Sequence, residues 1–248
     1  MKKNYKYIEK GNGQPIVLLH GLMGGLSNFK DVLNYFSSKD YKVVIPELPI
    51  YSLPIKETTV KSFSTFLEDF IKYKNLKDVI LLGNSLGGHI GLIFSKENPK
   101  LVKSLVLTGS SGLYENTMGE SYPKRENYGY IKQKTEEVFY NPKVATKKIV
   151  DEVFETVNNR EKLVRTIAIA KSAIRHNMSK DLPKIKTPTL LIWGENDLVT
   201  PPEVATEFET LLPNSDLVWI KKCGHAPMME YPKEFNEILH NWLGKKIV

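Results

Sequence analysis

The sequence predicts an α/β fold: a mostly parallel sheet flanked by helices, with a helical cap inserted into it. Short apolar runs rich in β-branched residues alternate with longer segments whose apolar residues return at helical spacing, which is the pattern of strands joined by crossover helices. Strand character stops after residue 111 and resumes only beyond Pro188, so the interruption reads as an insertion.

Strands are expected at 6–9, 15–20, 42–46, 79–83, 104–108, 189–193 and 217–221. Gly11-Asn12-Gly13 is expected to join the first two as a hairpin. Crossover helices are expected over 60–73, where Val60, Phe63, Phe66, Leu67, Phe70 and Ile71 share a face, and over 85–96 and 203–212. A last helix over 234–243 carries the stripe Phe235, Ile238, Leu239 and Trp242 and is expected to close the sheet edge. The core therefore comprises 1–111 and 185–248, and the cap 112–184. The cap is rich in Lys and Glu and holds a tyrosine cluster, Tyr114, Tyr122, Tyr128 and Tyr130; it is expected over the carboxyl ends of the strands.

Composition narrows the functional classes. The 248 residues are 41% hydrophobic and 25% charged, an ordinary globular balance with room for a large core. The net charge of +7 comes from scattered lysines rather than a dense basic block, so it reads as solvated surface and not as a nucleic-acid site. No apolar run follows the basic start Met1 to Tyr7, and the longest apolar stretches have strand length, so no secretory leader and no membrane span are expected. With Cys223 alone there is no intrachain disulfide, and a cytoplasmic setting is the expectation.

Four motifs carry chemistry. Gly83-Asn84-Ser85-Leu86-Gly87-Gly88 follows an apolar strand and opens a helical pattern, which is the context a G-x-S-x-G nucleophile turn requires. Gly83 and Gly87 let strand and helix approach without Cβ clashes, leaving Ser85 at the tip. His20-Gly21-Leu22-Met23-Gly24-Gly25 follows the second strand, where a glycine-rich loop beginning at Gly21 can aim a backbone amide. The amides of Leu22 and Leu86 are the candidate oxyanion-hole donors. Trp193-Gly194-Glu195-Asn196-Asp197 ends another strand and offers two acids, of which Asp197 is the candidate orienter and Glu195 the structural one. The residues after 104–108 are Gly109-Ser110-Ser111-Gly112, without a carboxylate, which also favours Asp197.

Lys222-Cys223-Gly224-His225-Ala226-Pro227 follows the last strand and makes His225 the candidate base. The other four histidines lie in the oxyanion loop (His20), the helix after Ser85 (His89), the cap (His176) and the last helix (His240). Nucleophile, acid and base thus occur in the order Ser85, Asp197, His225, each past a strand end. Cys223 reads as a small buried hydrophobe. No metal-ligand spacing and no dinucleotide or P-loop pattern occurs, so no cofactor is expected.

With these motifs the chain resembles the α/β-hydrolase superfamily from His20 to His225. The Ser85 turn, Asn28-Phe29, Cys223-Gly224-His225 and the stretch from Glu230 to Asn236 look similar to hydrolases that cleave carbon–carbon bonds of meta-ring-fission products. Two departures set it apart from that branch. Those enzymes carry a tryptophan after the catalytic histidine, where this chain has Ala226, and a cap arginine for a substrate carboxylate, where it has Val153. Arg125, Arg160, Arg165 and Arg175 are the alternatives for that second role. Haloalkane dehalogenases and epoxide hydrolases of this fold use an aspartate as nucleophile, so Ser85 sets both aside.

The resemblance implies, first, a serine hydrolase that cleaves carboxylic esters of small, largely apolar substrates through an acyl-enzyme. A C–C hydrolase, a lyase or perhydrolase, and a ligand-binding protein are the alternatives. The expected partner is a small ester or carbonyl compound, with Asn84 and Tyr114 as candidate substrate contacts.

Overall fold

A computed structural model describes residues 5–116 and 124–246; Tyr122 of the tyrosine cluster and residues 1–4 lie outside them. The described strands are β1 (Tyr7–Lys10), β2 (Gln14–Leu19), β3 (Tyr41–Pro46), β4 (Val79–Asn84), β5 (Val102–Thr108), β6 (Thr189–Gly194) and β7 (Ser215–Ile220). They form one sheet in the order β1-β3-β2-β4-β5-β6-β7. Every neighbouring pair is parallel except β1 with β3. β2 and β4 to β7 therefore all end on one edge of the sheet, and β2 and β5 flank β4 there.

The expected hairpin between β1 and β2 is not formed. The turn at 11–13 exists, with Gly11 and Gly13 at φ +83° and +105°, but β3 lies between the two strands it joins. A Cβ at Gly11 would overlap the Tyr41 carbonyl and one at Gly13 the Asp40 carbonyl. The glycines thus let the chain pass tightly beneath the start of β3. Local turn chemistry was read correctly and strand partnership was not, because a turn signal carries no information about a strand that arrives 30 residues later.

Helices α1 (Lys30–Ser37), α2 (Val60–Tyr73), α3 (Leu86–Glu97), α7 (Pro202–Leu211) and α9 (Pro232–Lys246) cover the sheet; α8 (Pro227–Glu230) is a single turn before α9. Successive strand residues serve opposite faces. Val17 and Leu19 of β2 join a core with Phe63 and Leu67 of α2, Ile90 of α3 and Phe208 of α7. Ile16 and Leu18 join a second core with Val32 and Phe36 of α1 and Phe235 and Leu239 of α9. Burial on both faces is why these strands read as unbroken apolar runs.

Helix α1 has no counterpart among the elements read from the sequence; the pair Val32 and Phe36 is the only apolar i,i+4 signal its eight residues bury. The last helix packs over β6 and α1 and reaches edge strand β7, where Trp242 Nε1 donates to Asp216 (2.7 Å) and Lys246 pairs with the same carboxylate (3.2 Å).

Between β5 and β6 the chain makes a helical excursion with α4 (Tyr128–Glu136), α5 (Lys147–Asn158) and α6 (Arg160–Arg175). It is fastened to the carboxyl side of the sheet. Met178 N donates to Gly112 O (2.7 Å), Val60 N to Ser172 Oγ (3.2 Å) and Arg165 Nε to Leu53 O (3.1 Å). His89 Nε2 meets His176 Nδ1 at 3.0 Å, joining α3 to the end of α6. Burial, helped by the neighbouring His176, pushes the His89 pKa down to about 3, so this pair holds together uncharged.

Glycine packing gives a direct test. A Cβ at Gly87 would overlap the Leu19 carbonyl, whereas one at Gly244 meets nothing within 4 Å. Gly87→Ala is expected to lower stability by at least ~1–3 kcal/mol through overpacking. Gly244→Ala is expected to raise it by about 0.5–1 kcal/mol through backbone entropy. Urea denaturation of the two variants beside the parent measures both.

Candidate active site

The turn from β4 into α3 is built by what its glycines lack. A Cβ at Gly83 would overlap the backbone of Gly87 and Gly88, and one at Gly88 the Ser110 side chain. Ser85 between them has φ +54° and ψ −120°, a conformation that costs about 1–3 kcal/mol in a residue with a Cβ. Its amide donates to Thr108 O (3.1 Å), and its carbonyl accepts from the amides of Gly88 (3.0 Å), His89 (3.2 Å) and Ser111 (3.2 Å). The backbone on both sides of Ser85 is thus held while its side chain stays partly accessible.

The loop after β2 comes to this turn: a Cβ on Gly21 would lie 3.2 Å from Ser85 Cβ. His20 is buried and orders the loop. Its Nε2 accepts from Leu48 N (3.3 Å), so Nδ1 carries the proton and donates to Gly21 O (2.9 Å). Burial holds the His20 pKa below its usual value, consistent with this neutral tautomer. In a trans peptide the N–H points opposite the C=O, so anchoring the Gly21 carbonyl aims the Leu22 amide the other way. Neither the Leu22 nor the Leu86 amide has an acceptor among the described residues, the latter being among the orphan donors that begin a helix.

Asp197 and His225 are both buried and paired. His225 Nδ1 lies 2.9 Å from Asp197 Oδ2 and 3.1 Å from Oδ1. The carboxylate also accepts from Val199 N (2.8 Å), Thr200 N (3.0 Å) and Thr200 Oγ1 (2.8 Å). Glu195, the rival acid, faces solvent. A Cβ at Gly109 would lie 2.7 Å from His225 Nδ1, so this position after β5 cannot carry a side chain of any kind beside the histidine. Among the described residues His225 Nε2 has no partner. Burial pulls the His225 pKa down, but the charge and hydrogen bond of Asp197, with the charge of Glu115, raise it above its usual value.

Asn84 is buried, and its Nδ2 donates to Thr108 O (3.0 Å) and His225 O (3.1 Å). Its Nδ2 thus ties the Ser85 turn to the histidine loop. Tyr114 is exposed, with its hydroxyl donating to Asn116 Oδ1 (2.8 Å). Cys223 is fully buried and its thiol pKa is raised by burial, so it is held as an unreactive thiol. Of the arginines, Arg160 and Arg175 are exposed, Arg165 is bonded to Leu53 O, and Arg125 pairs with Glu126 (3.1 Å).

Three residues of the site escape sequence reading. Thr200 and Glu230 hold the acid and base loops: Glu230 Oε1 accepts from Gly224 N (2.6 Å), and its Oε2 from Asn141 N (3.0 Å). Glu115 acts on His225 through its charge alone. The three-residue spacing from Asp197 to Thr200 is a local signal for an acid whose own turn caps it. For Glu230 and Glu115 the partners are distant in sequence, and no local signal exists.

The fold agrees with what the comparisons return. The family model described as the alpha/beta hydrolase fold matches residues 14–160 and 153–232, and the chain belongs to that family. It is 28% identical to Lipase 1 of Psychrobacter immobilis, covering 90% of this chain and 75% of the lipase. It is 29% identical to the 2-hydroxy-6-oxo-6-(2'-aminophenyl)hexa-2,4-dienoic acid hydrolase of Metapseudomonas resinovorans, covering 97% and 88%. Among solved structures, an alpha/beta hydrolase enzyme from the metagenome of sediments of the Mar Chica lagoon, Morocco, is 53% identical, with a TM-score of 0.83 and coverage of 100% of this chain and 98% of that one. Among the described residues no helix is long and apolar enough to cross a membrane.

The charges around His225 set a pH dependence. A base must be neutral to accept a proton, so kcat/KM on an uncharged ester is expected to fall as pH drops through the raised histidine pKa. The midpoint of that acid limb should lie above about 6.5. Asp197→Asn is expected to lower kcat by roughly 10⁴-fold through the wrong tautomer. Glu195→Gln should leave it within about threefold, as a surface change. Steady-state rates across pH 5–9 measure all three.

Proposed function

We propose that the protein is a serine hydrolase of carboxylic esters, with Ser85 as nucleophile, His225 as general base and Asp197 as the residue that orients it. The observation that carries this reading is the Asp197–His225 pair, 2.9 Å apart and buried, on the strand edge that also bears the positive-φ Ser85. His225 Nε2 takes the Ser85 hydroxyl proton as Oγ attacks the ester carbonyl. The Leu22 and Leu86 amides, which have no other acceptor among the described residues, hold the oxyanion. The imidazolium then protonates the departing alcohol. Water attacks the acyl carbonyl while its proton passes to the same nitrogen, and the imidazolium returns that proton to Ser85 Oγ as the acid leaves.

The reading extends to small, largely apolar esters, with the helical excursion as a cap over the site, supported by its fastening to the carboxyl side of the sheet. Cleavage of a dienoate is the second reading, supported by the likeness to the Metapseudomonas enzyme. Two facts rank it lower. Val153 stands where a cap arginine is expected, and every arginine of the chain is exposed or already engaged.

Ser85→Ala is expected to lower turnover of a short activated ester by at least about 10³-fold while the far-UV circular dichroism stays that of the parent. A fluorophosphonate probe should add one adduct to the parent, on Ser85, and none to the variant. Undiminished turnover by Ser85→Ala would overturn the nucleophile assignment, and an unlabelled parent would favour a ligand-binding protein instead.

A further inference from the structure

The chain leaving β5 passes both halves of the site before it reaches the excursion. Gly109 lies against His225, and Ser111 N donates to Ser85 O (3.2 Å). Residues 113–116 then cross to the acid loop. Asn177 Nδ2 fastens Leu113 O (3.2 Å), while Asn116 N donates to Val199 O (2.7 Å) and Asn116 Nδ2 to Leu198 O (2.8 Å). Val199 is itself a donor to Asp197, so this crossing is tied to the residue that holds the histidine.

Glu115 sits between those fastenings. Tyr114 and Asn116 on either side are exposed, and Glu115 alone of the three is half-buried. Its carboxyl group takes no hydrogen bond and no salt bridge among the described residues. The charged group it senses is His225, and burial keeps its own pKa above the ordinary carboxylate value. His225 therefore feels two acids: Asp197, saturated with donors, and Glu115, whose acceptors are unused among the described residues and whose chain is fastened between the Ser85 turn and the Asp197 loop.

We propose that Glu115 sets the charge class of the substrate, favouring esters that carry a quaternary ammonium or other cationic group and disfavouring those that carry a carboxylate. An unpaired anion in a partly desolvated mouth attracts a cation and repels an anion, and solvent screens it less than at an open surface. This rests on the esterase reading for its chemistry and extends it to the substrate's charge. It also gives a physical reason for ranking a dienoate low: Val153 stands where an arginine would welcome a carboxylate, and a second acid acts on His225 through its charge.

The test compares three 4-nitrophenyl esters of similar length on the full chain at pH 8.5 and low ionic strength: neutral butyrate, 4-(trimethylammonio)butyrate and the monoester of glutarate. The cationic ester should exceed the anionic one in kcat/KM by about 30-fold or more in the parent. Glu115→Gln should shrink that ratio by roughly tenfold, and Glu115→Lys should invert it. Each ratio is taken within one variant, so a general loss of activity does not move it. A ratio unchanged by both substitutions overturns the proposal. If none of the esters turns over, the esterase reading fails by itself. Calorimetric binding of butyltrimethylammonium against pentanoate then decides the charge preference: loss of the difference in Glu115→Gln supports it, and equal binding to the parent overturns it.

Discussion

The site depends on how closely α3 lies against the sheet. Gly87 rests on the Leu19 carbonyl, Gly83 on Gly87 and Gly88, and Gly88 on Ser110, three contacts that no side chain could enter. Because helix and strand nearly touch, the turn between them is short enough to force Ser85 to a positive φ. The same closeness brings its carbonyl within reach of three amides, one of them from the chain after β5. What would otherwise be an unfavourable backbone conformation is over-determined by its surroundings, which is the condition for such strain to persist.

The two acids near His225 are treated in opposite ways. Asp197 accepts from two backbone amides, a threonine hydroxyl and the imidazole, so its orientation is fixed and its charge is spread over four donors. Glu115 has none of these. A half-buried carboxylate without donors is costly to ionise, which burial registers as a raised pKa that the charge of His225 partly offsets. One acid is thus held in place by donors, and the other acts on His225 through charge.

Much of this was legible in the sequence because it is local. All seven strands appear within two residues of where their apolar runs place them, and the motifs bearing Ser85, Asp197 and His225 lie past their ends on one edge. What was not legible depends on partners far along the chain. The glycine turn at 11–13 is visible, yet its strands are separated by β3. Asn84 sits in the Ser85 motif, but nothing local signals that its Nδ2 bonds the Thr108 and His225 carbonyls, the latter 141 residues on. Glu230 lies just before the helix expected over 234–243, in a stretch noted only for its resemblance, while its two oxygens bond Gly224 and Asn141.

The histidine loop is held from above as well as from below. His225 N donates to Val138 O (2.9 Å), and Glu230 grips both Gly224 and Asn141. A Cβ on Gly224 would press on Val138 O and Tyr140 N, so the two backbones run in contact. The strip from Val138 to Asn141, which belongs to the helical excursion, is in this sense a wall of the core. Exchanging that excursion whole for another would remove a support of the His225 loop along with the helices. A workable graft would keep this strip and its contacts with Gly224, His225 and Glu230 and replace only the helices beyond it.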